Sequence, residues 1–432
     1  MRNTTIDMVS RCRLGSCVGF VLLIVMALCP QVLRAQAGSL AVQELLKQGF
    51  ENVSCTEDST ERVYVIQNSA YRLTSIASAK AVDIVQQLGM PEDKDCRIVV
   101  LDNNVPQFSI VYKRSEAESA EDLASLGSRA GWETTYELGD SWKQARKTKK
   151  SNSSLYKVDI VVYPQLMFRN YVLNRVYDYV VNLNPTIEVS LWKGSKLSLQ
   201  VVVPIHNDYG DIYGKVRPGY MTLSQQFRVE NLFLTATVGN FNKFHWGLNL
   251  RGKYVFKDTH FVIDGEMGYY GVAHFDGFKL MKNDVDRSLD KFTYSIGASY
   301  FWRPFNTQFK LNFERYLYGE RGFKAKMVRH FRYASIGLYA SKILGRDDAA
   351  HSGFNAGFMF AIALPPYKNK RHGYIPRVTT SDYWGITYNA GNEKFYGQYV
   401  VPEVGGSSGT GTIDSYENSF NPILVESELF NY

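Results

Sequence analysis

The chain has 432 residues, with 49 basic and 42 acidic side chains and a formal net charge of +7, so it is long enough for two or three domains. Its mean hydropathy of −0.23 argues against a mainly helical membrane protein. It does not exclude a strand-built one, because a barrel strand shows only alternate residues to lipid. The 29 Tyr outnumber the 25 Phe, as suits a boundary where one end of a ring is wet and the other apolar.

The N-terminus reads as a secretory signal peptide over residues 1–37. Arg2, Arg11 and Arg13 give a positive start, Val18 to Cys29 an apolar run, and Ala35-Gln36-Ala37 a cleavage site before Gly38. A transmembrane anchor is the alternative, but the run is short and ends at Pro30. Leu14-Gly15-Ser16-Cys17 looks like a lipoprotein box, yet it precedes the apolar run. Only Cys55 and Cys96 follow the signal. In an oxidising compartment such a pair suggests a disulfide, with two buried, unpaired thiols as the other possibility.

Residues 38–114 read as a small α/β module in the order αββαββ. Leu40, Val42, Leu45 and Leu46 share a helical face that Gly49 ends, and Val53–Thr56 and Val63–Ile66 read as strands. A second helix covers Ile76 to Leu88 and stops at Gly89 and Pro91. Ile98–Leu101 and Phe108–Tyr112 form a hairpin across Asp102-Asn103-Asn104. Residues 115–154 are polar and read as a linker or peripheral segment, although Trp132 and Trp142 imply that part of it packs.

After residue 155 the period-two pattern dominates, with the strand boundaries around 155–184 and after 375 left open. Trp246, Leu248, Leu250, Tyr254 and Phe256 alternate with Gly247, Asn249, Arg251 and Lys253, and Phe292, Tyr294, Ile296, Ala298, Tyr300 and Trp302 with polar or small partners. Phe354, Ala356, Phe358, Phe360, Ile362 and Leu364 repeat the pattern. Further alternation marks 187–192, 196–205, 220–229, 232–238, 261–270, 309–316 and 334–341. The expectation is a mainly β fold: a transmembrane antiparallel β-barrel of roughly 10–14 strands over 155–432, preceded by the small periplasmic α/β domain. Short turns at 193–195 and 257–258 alternate with longer loops at 206–218, 275–290 and 343–353, the asymmetry of a barrel's two rims. A soluble sandwich or lipocalin-like barrel is the alternative, but its strands average about 5–6 residues. The end, Leu429-Phe430-Asn431-Tyr432, is either a last strand or no strand at all.

No motif nominates catalysis, a metal or a cofactor. Gly405 to Gly409 satisfies G-x-S-x-G in a low-complexity stretch without the following helix that the motif needs. The seven His residues lack ligand spacing. If the apolar face meets lipid, the lumen receives Lys196, Arg228, Arg251, Lys253, Lys291, Lys310, Lys324 and Lys326, set against Glu188, Asp264, Glu266 and Glu314. A basic excess there would favour anionic solutes; alternatively the charges pair across strands and fill the interior. Tyr270, Phe301, Tyr316 and Tyr339 share the inward phase, where rings would stack on sugars.

Several stretches resemble the YjbH-like family of exopolysaccharide-associated outer-membrane proteins, in a shorter form. They are Leu45 to Val53 with Gln67 to Arg72, Asn184 to Gly194 with Gln200 to Ile205, and Gly322 to Phe331 running on to Ile336–Tyr339. The resemblance implies a barrel in the outer membrane of a Gram-negative bacterium, its N-terminal domain periplasmic, that aids export or assembly of a surface exopolysaccharide or capsule. The partners implied are outer-membrane lipid, polysaccharide and periplasmic export components, with no nucleic acid, no cofactor and no enzymatic activity. A structural or adhesive barrel, plugged inside and binding glycan or protein through its loops, is the second reading.

Overall fold

The computed structural model describes residues 40–91, 94–114, 129, 131–170, 176–241, 245–256, 260–282, 292–348, 351–389, 400 and 419–429. The signal peptide, Lys291 and the 405–409 motif lie outside them. The fold is mainly β, with a small N-terminal α/β region and one large sheet.

The N-terminal region follows the expected order. Helix α1 (Leu40–Gln48) leads to β1 (Glu51–Glu57) and β2 (Glu61–Gln67), then α2 (Thr74–Leu88), β3 (Asp95–Asp102) and β4 (Val105–Tyr112). β2 and β3 are parallel across the α2 connection, and the other pairs are antiparallel. Alternation along β2 explains the layering. Tyr64 and Ile66 join the core under α1 and α2, whereas Val63 and Val65 face Trp142 and Ala145 on the opposite side.

That second layer corrects the linker boundary. β5 (Trp132–Thr135) pairs with β4, and α3 (Trp142–Ala145) packs on β2 and β3, so residues 131–154 belong to the module. Both tryptophans are the reason: Trp132 is buried in the main core and Trp142 covers the far face. The disulfide is corrected as well, because Cys55 and Cys96 are free thiols. Cys55 pairs with Tyr64 and Cys96 with Arg62, so β2 stands between them. Two interstrand spacings amount to roughly 10 Å, beyond the ~7 Å a disulfide can bridge.

The large sheet begins with β6 (Val158–Asn170), β7 (Tyr177–Val189), β8 (Ser195–Asn207), β9 (Arg217–Val229), β10 (Leu232–Asn240), β11 (His245–Val255) and β12 (Phe261–Asp276). It continues with a short β13 (Lys279–Lys282), β14 (Phe292–Trp302), β15 (Thr307–Arg315), β16 (Arg321–His330), β17 (Ala334–Asp348), β18 (His351–Ala363), β19 (Arg377–Thr380) and β20 (Tyr383–Asn389). Fourteen strands form one path, β19-β6-β7 through β18-β20, and β13 hangs off β12. Every pairing is antiparallel except β19 with β6. The path's terminal strands, β19 and β20, are separated in sequence by two residues, Ser381 and Asp382.

Turns are short at one end of this sheet. Glu230 takes a left-handed conformation in the two-residue turn between β9 and β10, and Asn306 does so before β15. Gly194, at φ +80°, cannot be replaced cheaply, because a Cβ would lie 2.2 Å from the Gln226 carbonyl oxygen. The expected loop at 343–353 is instead mostly strand: β17 runs to Asp348 and β18 starts at His351, past a register shift after Lys342. Pro422–Leu429 form helix α4; Phe430, Asn431 and Tyr432, the rest of the segment read as a possible last strand, lie outside the described residues.

Two outcomes test the module. Burial pushes both thiols upward, Cys96 most strongly, so folded protein should resist alkylation at neutral pH. After denaturation without reductant, the chain from residue 38 should take up two alkyl groups; a mass showing none would restore the disulfide. The Asp58 carboxyl is held well below the usual carboxylate range by the Ser141 hydroxyl and by the backbone N–H groups of Glu61 and Thr60. A depressed carboxylate stabilises the fold above its unfolded range and loses that contribution as pH falls. Asp58→Asn should therefore flatten the acid limb of a stability-versus-pH curve, read by denaturant midpoint.

Candidate functional site

The large sheet inverts the ordinary rule of burial. Its exposed side chains include Leu183, Ile187, Leu199, Leu234, Val238, Leu248, Leu250, Ile263, Met267, Ile296, Leu311, Ile336, Leu338 and Phe358. Its buried ones include Asn182, Asn184, Thr186, Gln200, Asn249, Thr293, Ser295, Ser299, Asn312 and Ser341. A water-soluble sheet does the reverse. Polar groups without water must find partners, and many of these do, although Asn182 Oδ1, Asn184 Oδ1, Thr293 Oγ1 and Asn312 Oδ1 are left without one. Asn182 donates to Gln165 Oε1 at 2.9 Å, Gln200 to Thr186 Oγ1 at 2.8 Å, Asn249 to the Tyr270 hydroxyl at 3.0 Å and Asn312 to Ser295 Oγ at 2.9 Å.

The charges on this face are arranged the same way. Lys196 pairs with Glu188 at 2.7 Å, and the Tyr163 hydroxyl donates to that carboxylate at 2.6 Å. Arg251 meets Glu266 at 3.0 Å across directly opposed positions of β11 and β12, and Lys310 meets Asp264 at 3.1 Å. Lys253 lies over the Phe233 ring at 5.0 Å and Lys324 over Tyr339 at 5.4 Å. Lys326 stands opposite Lys310 and Tyr339 in register. Each described cation expected inside is therefore on the polar face, and three of them have a carboxylate on a nearby strand. The four inward aromatics, Tyr270, Phe301, Tyr316 and Tyr339, are all buried.

Sequence phase did not reveal what narrows the two ends of this face. At the loop end, Phe241 meets Tyr270 edge-on at 5.2 Å, and Leu317 and Tyr220 complete the cluster. Phe241 and Leu317 come from loops, where period-two reading has nothing to say. At the short-turn end, the α/β module and α4 cover the face. Phe233, Val255, Val262 and Phe301 pack with Leu424 of α4, and with Tyr136 and Ile423 at their edge. Arg228 spans the junction: it donates to the carbonyl oxygens of Gln107 at 2.9 Å, Pro106 at 3.3 Å and Tyr136, and it sits over the Phe233 ring at 4.7 Å.

The module is fastened to the sheet by a buried ionic chain. Lys157 binds Glu51 at 2.9 Å, Arg371 lies 3.3 Å from Glu51 and also pairs with Asp159, and Arg377 holds Asp159 at 2.9 Å. Arg72 of the module reaches Asp382 at 2.5 Å and the Thr380 carbonyl at 3.1 Å, gripping the junction of β19 and β20. The 190–194 turn is held to the β3–β4 hairpin: Gly194 N–H donates to the Asn103 carbonyl at 2.7 Å, and Ser190 Oγ to the Asn103 side chain at 2.9 Å.

Among the described residues no group of three or more His, Cys, Asp or Glu is placed to hold a metal ion. What the face holds is a set of hydrogen-bonded polar side chains packed with buried aromatics and covered at one end. No protein-family model matches the chain, and no curated protein matches it.

The Lys310–Asp264 pair gives a quantitative check. Its side chains are 12% and 17% exposed, and removing one partner of a buried pair costs about 3–5 kcal/mol, whereas removing both costs far less. Lys310→Met alone should thus destabilise the protein more than Lys310→Met with Asp264→Asn. A double-mutant cycle on unfolding midpoints reads the difference; additive effects would show that the pair does not interact.

Proposed function

We propose that this chain is an outer-membrane β-barrel of a Gram-negative bacterium that aids export or assembly of a surface polysaccharide, with the α/β module covering its periplasmic rim. One observation supports the membrane reading above the rest: the apolar side chains of the large sheet point out and its hydrogen-bonded polar ones point in. Exposed strands of this kind are stable only against lipid. No described helix is long and apolar enough to cross a membrane, so strands would do the crossing.

Closure of the barrel belongs to the proposal. Taken as two halves of one segment, β19 and β20 link β6 to β18 and complete thirteen strands. In an up-and-down meander an odd count makes the first and last strands parallel, and β19 and β6 are parallel. The short-turn rim, beneath the module, is then periplasmic and the looped rim faces outward. The signal peptide read from residues 1–37 agrees with that route.

Export of polysaccharide rests on the family resemblance together with the polar character of the sheet's inner face. The pairing of Lys196, Arg251 and Lys310 with carboxylates and the covered rim favour a second reading, a plugged barrel whose loops bind glycan or protein. For a conduit, the module must swing away or leave a path beside it.

Deleting the gene and measuring polymer on the surface and in the periplasm tests export. Less outside with more trapped inside is the expected result, and unchanged amounts in both places would sink it. Combined Arg251→Gln, Lys253→Gln and Lys310→Gln changes separate the two readings. A conduit in a planar bilayer should lose anion preference, while a plugged barrel should conduct no better or worse than before.

A further inference from the structure

At the looped end of β7 and β8 the outward face carries groups that lipid contact does not explain. Tyr177 and Tyr179 are exposed there, in phase with Leu183 and Ile187. β8 approaches this end with its odd-numbered residues outward: Leu199 and Ile205 are exposed, whereas Ser198, Gln200 and Val202 are buried. Strict alternation would send His206 inward. Instead Val181 pairs with His206 and Asn182 with Pro204, so Ile205 is an extra residue and a β-bulge re-aims the strand. Pro204, with no N–H to give to a ladder, suits that position.

The bulge brings His206 onto the outward face, where its ring stacks on Tyr179 with centroids 4.2 Å apart and planes 17° from parallel. Its Nε2 lies 3.2 Å from Asp208 Oδ2. That carboxylate is itself fixed to Tyr179. It accepts the Tyr179 N–H at 3.2 Å, and the Asp208 N–H donates to the Tyr179 carbonyl at 3.1 Å. Tyr177 is set by an edge-on contact with Phe168 at 6.3 Å. Val176, Tyr177, Tyr179, His206 and Asp208 together line an open cavity of about 590 Å³, within the ~300–1,000 Å³ range of small-molecule sites. Held by backbone bonds and ring contacts, the cluster is preorganised, so a ligand loses little of its binding energy in ordering it.

A carboxylate and an imidazole turned outward are costly against hydrocarbon, so this rim stands at or above the headgroups. Exposed phenol rings beside a fixed acceptor match one ligand chemistry. The C–H bonds on one face of a pyranose carry partial positive charge and pack on the negative face of an aromatic ring. The hydroxyls around its edge need both acceptors and donors. The Asp208 carboxylate only accepts, whereas the two phenols do both. The same carboxylate disfavours sugars that carry an acid group, by like-charge repulsion.

We infer that Tyr177, Tyr179, His206 and Asp208 form a binding site for an uncharged pyranose unit of a cell-surface glycan. The site rests on the membrane-barrel reading with the looped rim outward, and it gives the glycan-binding form of that reading its residues. Because the cluster faces away from the polar face of the sheet, it holds glycan beside the barrel and not inside it. Secreted polymer and the lipopolysaccharide around a barrel both present this ring chemistry, and the test separates them.

The test applies the full chain, folded in detergent, to a printed array. The array carries neutral oligosaccharides released from the producing bacterium's secreted polysaccharide and, separately, from its lipopolysaccharide, with uronic-acid oligosaccharides alongside. Wild type should retain a neutral set, and the set retained identifies the source. Tyr177→Leu with Tyr179→Leu should weaken retention roughly tenfold, with strand content by circular dichroism unchanged. Asp208→Asn should weaken it severalfold and admit uronic acids, and it decides alone if the tyrosine pair is needed for folding. Tyr254→Leu, which removes an exposed ring at the opposite rim, should change nothing. Orientation is read separately, by labelling Val176→Cys on intact cells with a membrane-impermeant maleimide. An unlabelled cysteine overturns the outward rim, and the site with it. A labelled cysteine with no neutral sugar retained, with uronic acids preferred by wild type, or with retention undiminished in the variants overturns the site alone.

Discussion

Enclosure of a polar sheet face is the constraint on which the rest of this structure depends. A strand that shows Leu, Ile and Phe outward must send Asn, Ser, Thr and charged residues inward, because successive side chains alternate. Away from bulk water each inward group needs a partner, and an unpaired one costs about 1–3 kcal/mol. The Asn–Gln, Asn–Tyr and Asn–Ser contacts between neighbouring strands, and the Lys–Glu and Arg–Glu pairs among them, are how this sequence meets that demand. They also pin register, since a one-residue slip would turn every such group outward.

The same logic explains why the α/β module is bound so tightly to the large sheet. Glu51 and Lys157 are 3% and 4% exposed as side chains, and Arg371 is 6% exposed. Charges so deeply buried are tolerable only as a complete set. Glu51 comes from the module, Lys157 from the segment just before β6, Asp159 from β6, Arg371 from the segment after β18 and Arg377 from β19. Moving the module away as a body would strand carboxylates and cations together, so the ionic chain makes docking cooperative. It also ties the module to the β19–β6 pairing, where the two ends of the large sheet come nearest in sequence.

Much of this was legible in the residues. Alternation in Trp246–Phe256 and Phe292–Trp302 identified both strands and the facing of each side chain, because a period of two fixes phase as well as structure. The αββαββ module followed from helical spacing at Leu40–Leu46 and Ile76–Val85 and from the Asn103-Asn104 turn, whose residues take the left-handed conformation. Where the reading failed, long-range contacts decided. Cys55 and Cys96 were separated by β2, whose position between them depends on a parallel pairing across a helix. Trp132 joined the module's core through β5, a four-residue strand too short to alternate audibly. β6 and β7 escaped strand assignment over much of their length because Asp159, Gln165 and Asn182 blur the contrast between faces. The inward aromatics of the strands were foreseen, but Phe241 and Leu317 were not, since loops carry no periodic signal.

The cations of the polar face, finally, carry less weight than their number suggests. A row of lysines read from phase looks like an anion path, yet pairing with Glu188, Glu266 and Asp264 cancels much of the field that three of them would exert on a solute. Arg228 is spent on carbonyls of the module, and Lys253 and Lys324 are laid on rings. Tyr270, Tyr316 and Tyr339 are buried among their neighbours, so their rings fill the polar face instead of offering it to a solute, which agrees with the plugged reading. Transport through such a face would be controlled chiefly at its ends, by the Phe241 cluster above and the docked module below.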